Sequence, residues 1–145
     1  MRFLLSLFTF CVVLTSCNSV SKEDVAKING YWQIEKVVTA DGEDKQYQGN
    51  TSYDFFELKD GKGTRTKVMP QLDGSFLTNN LHEQISVRFK DGDVFLDYVT
   101  EYAKWSEEVQ SVTNEEMVLV NAQNIEYHYK KAGPIKLDDD GETTK

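Results

Sequence analysis

Residues 28–38, INGYWQIEKVV, place a glycine and a tryptophan at the start of a run of strand-forming residues. Gly30 comes two residues before Trp32, and apolar side chains then recur along the segment. A period of two is typical of a strand that buries one face. We therefore predict that a strand begins at Gly30, with Trp32, Ile34 and Val38 on its buried face.

Similar alternating segments, separated by turn residues, continue to the end of the predicted domain. Asp91-Gly92 is the strongest hairpin signal, and Asp60-Gly61 is a second one. Pro70 and Asn79-Asn80 are predicted to interrupt the middle of the chain, and EYAKWSEEVQSV is interpreted as a strand. About eight short strands without a long helix favour an all-β fold, a small up-and-down antiparallel barrel, because closure removes exposed strand edges.

The amino-terminal segment MRFLLSLFTFCVVLTSC has one positive charge followed by a short apolar run, as in a secretory signal peptide. Its end, Leu14-Thr15-Ser16-Cys17, resembles the lipobox of bacterial lipoproteins. The resemblance implies that residues 1–16 are removed and that Cys17 carries acyl chains, which hold the protein on a membrane. Residues 17–29 then form a tether. Ser21 and Asp24 within it have the spacing of a capping box and predict a short helical turn.

The net charge of the chain argues against two classes of binding partner. The chain has 24 acidic and 16 basic residues, a formal net charge of −8. Such a surface argues against nucleic acid and against charge-driven adhesion to anionic lipid. Residues 133–145 form an acidic tail that we predict to be disordered.

Gly30 and Trp32, at the start of the first strand and after a helical turn, resemble the lipocalin signature. The resemblance implies a barrel over residues 30–132 whose tryptophan closes one end, with a basic side chain of the last strand on the indole. Lys130 is assigned this contact, with Lys131 as the alternative. The lipobox, the tether and the final YHYKK together resemble the lipocalin-like domain lipoproteins of Gram-negative gut bacteria, which implies a lipid-anchored protein of the cell envelope, at the outer membrane. The alternative is a tryptophan in the core of an unrelated small barrel or sandwich.

Aromatic residues are the candidate ligand contacts inside such a barrel. An eight-stranded barrel is either filled by its own side chains or holds one small ligand. The first hypothesis is a carrier of a small apolar or amphipathic molecule. The second is a filled barrel whose loops dock an envelope protein, and a cavity at the end away from Trp32 would distinguish the two. The residues assigned to ligand binding are Phe56, Phe89, Tyr98, Trp105, Tyr127 and Tyr129.

No catalytic or metal motif is evident in the sequence. His82, predicted in a loop, and His128, predicted on an outer face, have no partner at metal-ligand spacing. Glu107-Glu108 point to opposite faces of a strand and cannot act as an acid–base pair. An enzyme on this barrel would need buried, convergent polar groups, which the alternating pattern does not indicate. We therefore predict a protein without enzymatic activity and without a cofactor.

Overall fold

The computed structural model describes residues 19–47 and 51–133. A short 3₁₀-helix, Asp24–Ile28, precedes nine strands. The predicted signal peptide, Cys17 and the tail beyond Gly133 lie outside the described residues, so these predictions remain predictions. The strands are β1 Gly30–Val38, β2 Asp44–Gln46, β3 Tyr53–Lys59, β4 Lys62–Pro70, β5 Phe76–Lys90, β6 Asp93–Val99, β7 Lys104–Val112, β8 Glu116–Asn121 and β9 Glu126–Lys131.

The strands form one closed antiparallel sheet. From β3 to β9 each strand pairs with the next in sequence, and β9 pairs with β1. The other edge of β1 pairs with β3 over its first residues and with the short β2 over its last. The predicted eight-stranded up-and-down barrel is therefore confirmed, with β2 as one additional short strand.

The two predicted Asp-Gly turns, at 60–61 and 91–92, are two-residue hairpin turns. Asp60 and Gly61 have φ of 52° and 75°, and Asp91 and Gly92 have φ of 54° and 89°. Positive φ at both central residues matches the turn to the twist of the flanking strands. Strand β6, which follows the second turn, buries Val94, Leu96 and Tyr98 as its alternation predicts.

A bulge in β1 changes which of its valines is buried, and one prediction for this strand is therefore wrong. Ile34 pairs with Tyr129, but the next ladder partner of His128 is Lys36, so one residue of β1 is unpaired. An extra residue shifts every later side chain to the other face. Val37 is consequently buried, and the prediction of Val38 on the inner face is wrong.

The sequence predicts an interruption at Asn79-Asn80. In the structure this pair instead lies in a bulge within the continuous strand β5. Thr66 pairs with His82 and Val68 pairs with Thr78, so Lys67 alone lies opposite three residues of β5. Asn80 has a φ of 59°, which asparagine tolerates better than most residues. His82 therefore lies in a strand and not in a loop.

The end of the barrel that holds Trp32 is closed by the 3₁₀-helix. The predicted capping box forms, since the Asp24 amide donates to the Ser21 hydroxyl over 3.2 Å and the Ser21 amide donates to the Asp24 carboxylate over 2.9 Å. Ile28 ends the helix inside the core, and its carbonyl accepts a 2.6 Å hydrogen bond from Trp32 Nε1.

Lys131, and not Lys130, is the basic residue on the indole. Its Nζ lies 4.2 Å from the Trp32 ring centroid and donates to the carbonyls of Lys27 and Asn29. Side chains alternate along β9, so Lys130 points outward and is exposed. Gly30 has a φ of 115°, and a Cβ there would lie 3.1 Å from Lys131 Cε, so the glycine makes room for the lysine.

No helix within the described residues is long and apolar enough to cross a membrane.

We predict that Lys131→Met lowers the free energy of unfolding by about 2 kcal/mol, because it removes a cation–π contact and two hydrogen bonds to helix carbonyls. Urea-induced unfolding followed by fluorescence measures the change. Lys130→Met is the matched control on the adjacent, exposed position. Equal losses in the two variants would contradict the role of Lys131.

Candidate functional site

A cavity of about 1110 Å³ occupies the end of the barrel away from Trp32. Its mouth is formed by three segments: the β5 bulge, the connection between β6 and β7, and the turn between β8 and β9. Side chains of β1, β3, β4, β5, β7 and β9 line its interior. The barrel is therefore filled at one end only.

Aromatic residues form part of the cavity wall. Trp105 is half-buried and stacks on Tyr98, with ring centroids 5.1 Å apart and an angle of 9° between the planes. Tyr127 and Tyr129 line the wall from β9. Tyr129 also meets the core residue Phe56 edge-on at 6.5 Å, so the wall continues into the core.

Arg65 lies at the floor of the cavity, between acidic and aromatic partners. Its guanidinium donates to the carboxylates of Glu83 and, over 3.5 Å, Glu107. Its Cζ lies 4.4 Å from the Tyr98 ring centroid and 5.9 Å from that of Phe56. A planar guanidinium suits this position because it can stack on rings while its edge donates hydrogen bonds.

Burial and charge act in opposite directions on the floor groups. Desolvation lowers the pKa of Arg65, but its acidic neighbours, among them the hydrogen-bonded Glu83 and Glu107, raise the pKa above its ordinary value. Desolvation raises the pKa of Glu107, and Arg65 only partly offsets this. The floor therefore contains a permanent cation and a carboxylate whose charge is unfavourable in its surroundings.

A second polar cluster adjoins the first. The buried Asp54 carboxylate accepts a 3.2 Å hydrogen bond from the Tyr129 hydroxyl and lies 3.0 Å from Lys67 Nζ. Burial raises the pKa of Tyr129 well above its ordinary value, and Asp54 adds to this shift. The phenol consequently stays protonated and donates to Asp54.

Tyr98 has a buried hydroxyl beside Glu107. The residue is 1% exposed, and its hydroxyl makes no hydrogen bond of good geometry in the part of the chain that the structure describes. Burial raises its pKa well above the ordinary value, Arg65 opposes the shift, and the charge of Glu107 and its interaction with the hydroxyl reinforce it. The phenol therefore stays protonated and can donate to the Glu107 carboxylate.

The charged floor was not anticipated from the sequence, although the sequence contains its signal. Asp54, Glu83 and Glu107 each lie two residues before a core residue of the same strand, namely Phe56, Ile85 and Val109. The pattern of period two thus already placed these carboxylates on the inner face. Arg65 pairs across the ladder with both Phe56 and Glu83.

Five of the six predicted ligand contacts lie inside the barrel. Trp105, Tyr127 and Tyr129 line the cavity, whereas Tyr98 lies behind Trp105 and Phe56 lies deeper in the core.

Phe89 is a correction to the predicted inner set. It is 47% exposed at the closed end, and Lys22 Nζ lies 5.4 Å from its ring centroid. It is next to the last residue of β5, where the inner face of the barrel ends. It therefore cannot contact a ligand in the cavity.

The histidines do not form a metal centre with other residues of the described ranges, 19–47 and 51–133, which contain no metal-binding group of three or more His, Cys, Asp or Glu side chains. His82 is exposed at the cavity mouth. His128 Nε2 lies 2.8 Å from the Glu126 carboxylate.

We predict that Arg65→Met lowers the free energy of unfolding by about 3–5 kcal/mol near neutral pH, because it leaves buried carboxylates unpaired. A carboxyl group whose folded pKa is raised destabilises the fold when it is ionised. The loss is therefore smaller at a pH of about 4, below the raised pKa of Glu107, where this group takes up a proton. Urea denaturation at the two pH values measures it.

Arg88→Met is the matched control for Arg65→Met. Arg88 binds Asp97 through two hydrogen bonds of 2.7 and 2.8 Å, but this pair lies on the outer face of the barrel. The loss there is expected to be smaller and the same at both pH values. Equal behaviour of the two arginine variants would contradict a buried role for Arg65.

Comparison with known proteins places the chain in a family. A family model described as a lipocalin-like domain matches residues 28–119. A lipocalin-like protein from Bacteroides uniformis has a similar structure, with 12% identity, a TM-score of 0.48 and coverage of 73% of this chain and 99% of that chain. An uncharacterized protein from Bacteroides eggerthii has 13% identity, a TM-score of 0.46 and coverage of 72% and 98%, respectively. No curated protein matches the sequence. The family model covers more than half of the chain, and the chain therefore belongs to the lipocalin-like domain family.

Proposed function

We propose that this protein is a membrane-anchored lipocalin-like lipoprotein that binds one small amphipathic molecule in the open end of its barrel. The lipocalin-like fold is one that suggests small-ligand binding. The observation that carries the proposal is the cavity of about 1110 Å³ at the end away from Trp32. Its aromatic wall and polar floor favour a ligand with an apolar body and a polar head.

The size of the cavity supports a ligand rather than a filled barrel. Ligand pockets in proteins usually measure about 300–1,000 Å³ and are lined by apolar and aromatic side chains with a few polar groups. The core side chains at the closed end leave this space free above Tyr98 and Arg65.

The floor groups support binding rather than catalysis. The carboxylates of Glu83 and Glu107 are paired with Arg65, and that of Asp54 is paired with Lys67 and Tyr129. The raised pKa values of Tyr98 and Tyr129 keep both phenols protonated near neutral pH. Neither phenol is therefore available as a general base or nucleophile.

The position of Val20, near the start of the described residues, supports an anchored protein with an accessible cavity. Val20 packs against the core beside the 3₁₀-helix, so the chain enters the barrel at its closed end. An acylated Cys17 lies only three residues before Val20. The closed end then faces the membrane, which we propose to be the outer membrane of a cell envelope, and the cavity opens away from it.

One observation favours the alternative function, in which a rigid barrel presents its loops to an envelope protein. The hairpin of β4 and β5 exposes three apolar side chains, Met69, Leu72 and Leu77. Exposed apolar patches often mark protein contacts. Loss of a co-purifying envelope protein on Leu72→Ser would support this alternative.

We predict that the chain from residue 18 onward binds the neutral fluorescent probe N-phenyl-1-naphthylamine saturably, and that Trp105→Ala weakens binding about tenfold by removing apolar wall area. Fluorescence titration measures both constants. Leu72→Ala, on an exposed apolar residue away from the cavity, is the control and keeps the affinity. If the native chain does not bind the probe, or if both variants lose affinity equally, the carrier proposal fails.

Acylation at Cys17 is tested by metabolic labelling with an alkyne-bearing fatty acid. We expect the label on the native protein and on Cys11→Ser, and none on Cys17→Ser, because only Cys17 follows the lipobox residues. The anchor proposal is wrong if Cys17→Ser keeps the label.

A further inference from the structure

The floor of the cavity has more negative than positive groups. Arg65 is the deep cation, with a side chain 14% exposed. Three carboxylates surround this region: Asp54 and Glu107, at 6% and 8% exposed, and Glu83, at 29%. Lys67 is 59% exposed, so water screens its charge. A charged head group at the floor therefore meets a net negative environment.

Arg65 is not available to bind an anionic head group. Its hydrogen bonds go to Glu83 and Glu107, and the Tyr98 ring covers its face. A ligand carboxylate would have to displace one of these glutamates. The displaced glutamate would then be left unpaired in a partly buried site, which is costly.

The wall around this floor has the second property that organic cations require. Trp105, Tyr127 and Tyr129 present aromatic groups to the cavity. Aromatic side chains attract cations through the negative faces of their rings, and cages of this kind bind quaternary and protonated amines. The charges at the mouth do not repel a cation overall, because the exposed Glu101 and Lys104 have opposite charges.

We propose that the cavity selects amphipathic ligands with a cationic, amine-type head over ligands of equal length with an anionic head. The inference rests on the proposed function and adds the charge class of the ligand. The overall charge of −8 acts in the same direction, because it raises the local concentration of cations.

The test compares three ligands with the same eight-carbon chain: octyltrimethylammonium, octanol and octanoate. Binding to the chain from residue 18 onward, which retains every element of the barrel, is measured by isothermal titration calorimetry. We expect the ammonium ligand to bind at least about tenfold more tightly than octanoate, with octanol between them. The preference decreases at high salt, because ions screen the floor charges.

Two neighbouring glutamates on β7 provide the matched variants. Glu107→Gln removes a floor charge and is expected to reduce the preference for the ammonium ligand over octanoate several-fold. Glu108→Gln, on the outer face, leaves the preference unchanged. Glu83→Gln, a more exposed floor position, serves as a second test if Glu107→Gln does not unfold cooperatively in urea.

The outcomes separate this inference from the proposed function. If octanol binds and octanoate binds as tightly as the ammonium ligand, the charge class is wrong and the carrier function stands. If the preference is the same in Glu107→Gln, Glu83→Gln and Glu108→Gln, the floor does not cause it and the inference is overturned. If none of the three ligands and no neutral probe binds, both proposals fail.

Discussion

The contact of Lys131 with Trp32 and the 3₁₀-helix, at the closed end of the barrel, is the interaction on which the rest of the structure depends. The lysine comes from the last strand and lies over Trp32 of the first strand, at 4.2 Å from the ring centroid. It also donates to two carbonyls at the end of the 3₁₀-helix. One side chain thus joins the two strands that close the sheet to the helix that covers its end. Desolvation lowers the pKa of Lys131, which is the cost of placing an ammonium group there.

Closing one end allows the other end to remain open. The core residues around Trp32 fill the closed half and connect the sheet through apolar packing. Stability supplied there can offset the burial of charged groups at the floor, which would otherwise destabilise a small barrel. The two halves therefore have different chemistry on one continuous inner surface.

The two ends of the barrel have different roles in the proposed function. The chain enters the barrel at the closed end, and the cavity opens at the opposite end. A lipid anchor at Cys17 would hold the first end at a membrane and present the second to the surrounding solution. Ligand exchange would then occur on the side of the protein that faces away from the lipid. A net negative floor would distinguish such ligands by the charge of their heads, in addition to their apolar parts.

Most of the fold was predictable from local patterns. Alternation identified the strands of the barrel, including β7 but not the short β2 or the continuity of β5. The Asp-Gly pairs at 60–61 and 91–92 identified two turns, because strand periodicity and positive φ are properties of a few neighbouring residues. Gly30 and Trp32 marked the start of the barrel for the same reason. The bulges were not predictable, since an unpaired residue in β1 or β5 depends on the register with a partner strand. For this reason Val37 replaced Val38 on the inner face, and His82 was found in a strand.

The sequence by itself determined that the chain alternates, turns and closes as a barrel, and it reduced the choice of basic residue on Trp32 to Lys130 or Lys131. Only the tertiary structure decided that Lys131 makes that contact and that Arg65 meets Glu83 and Glu107 below an open cavity. Arg65 and Glu107 are 42 residues apart and lie on strands that are not neighbours in the sheet. The curvature and register of the whole closed sheet bring them together, and no local pattern of residues contains that information.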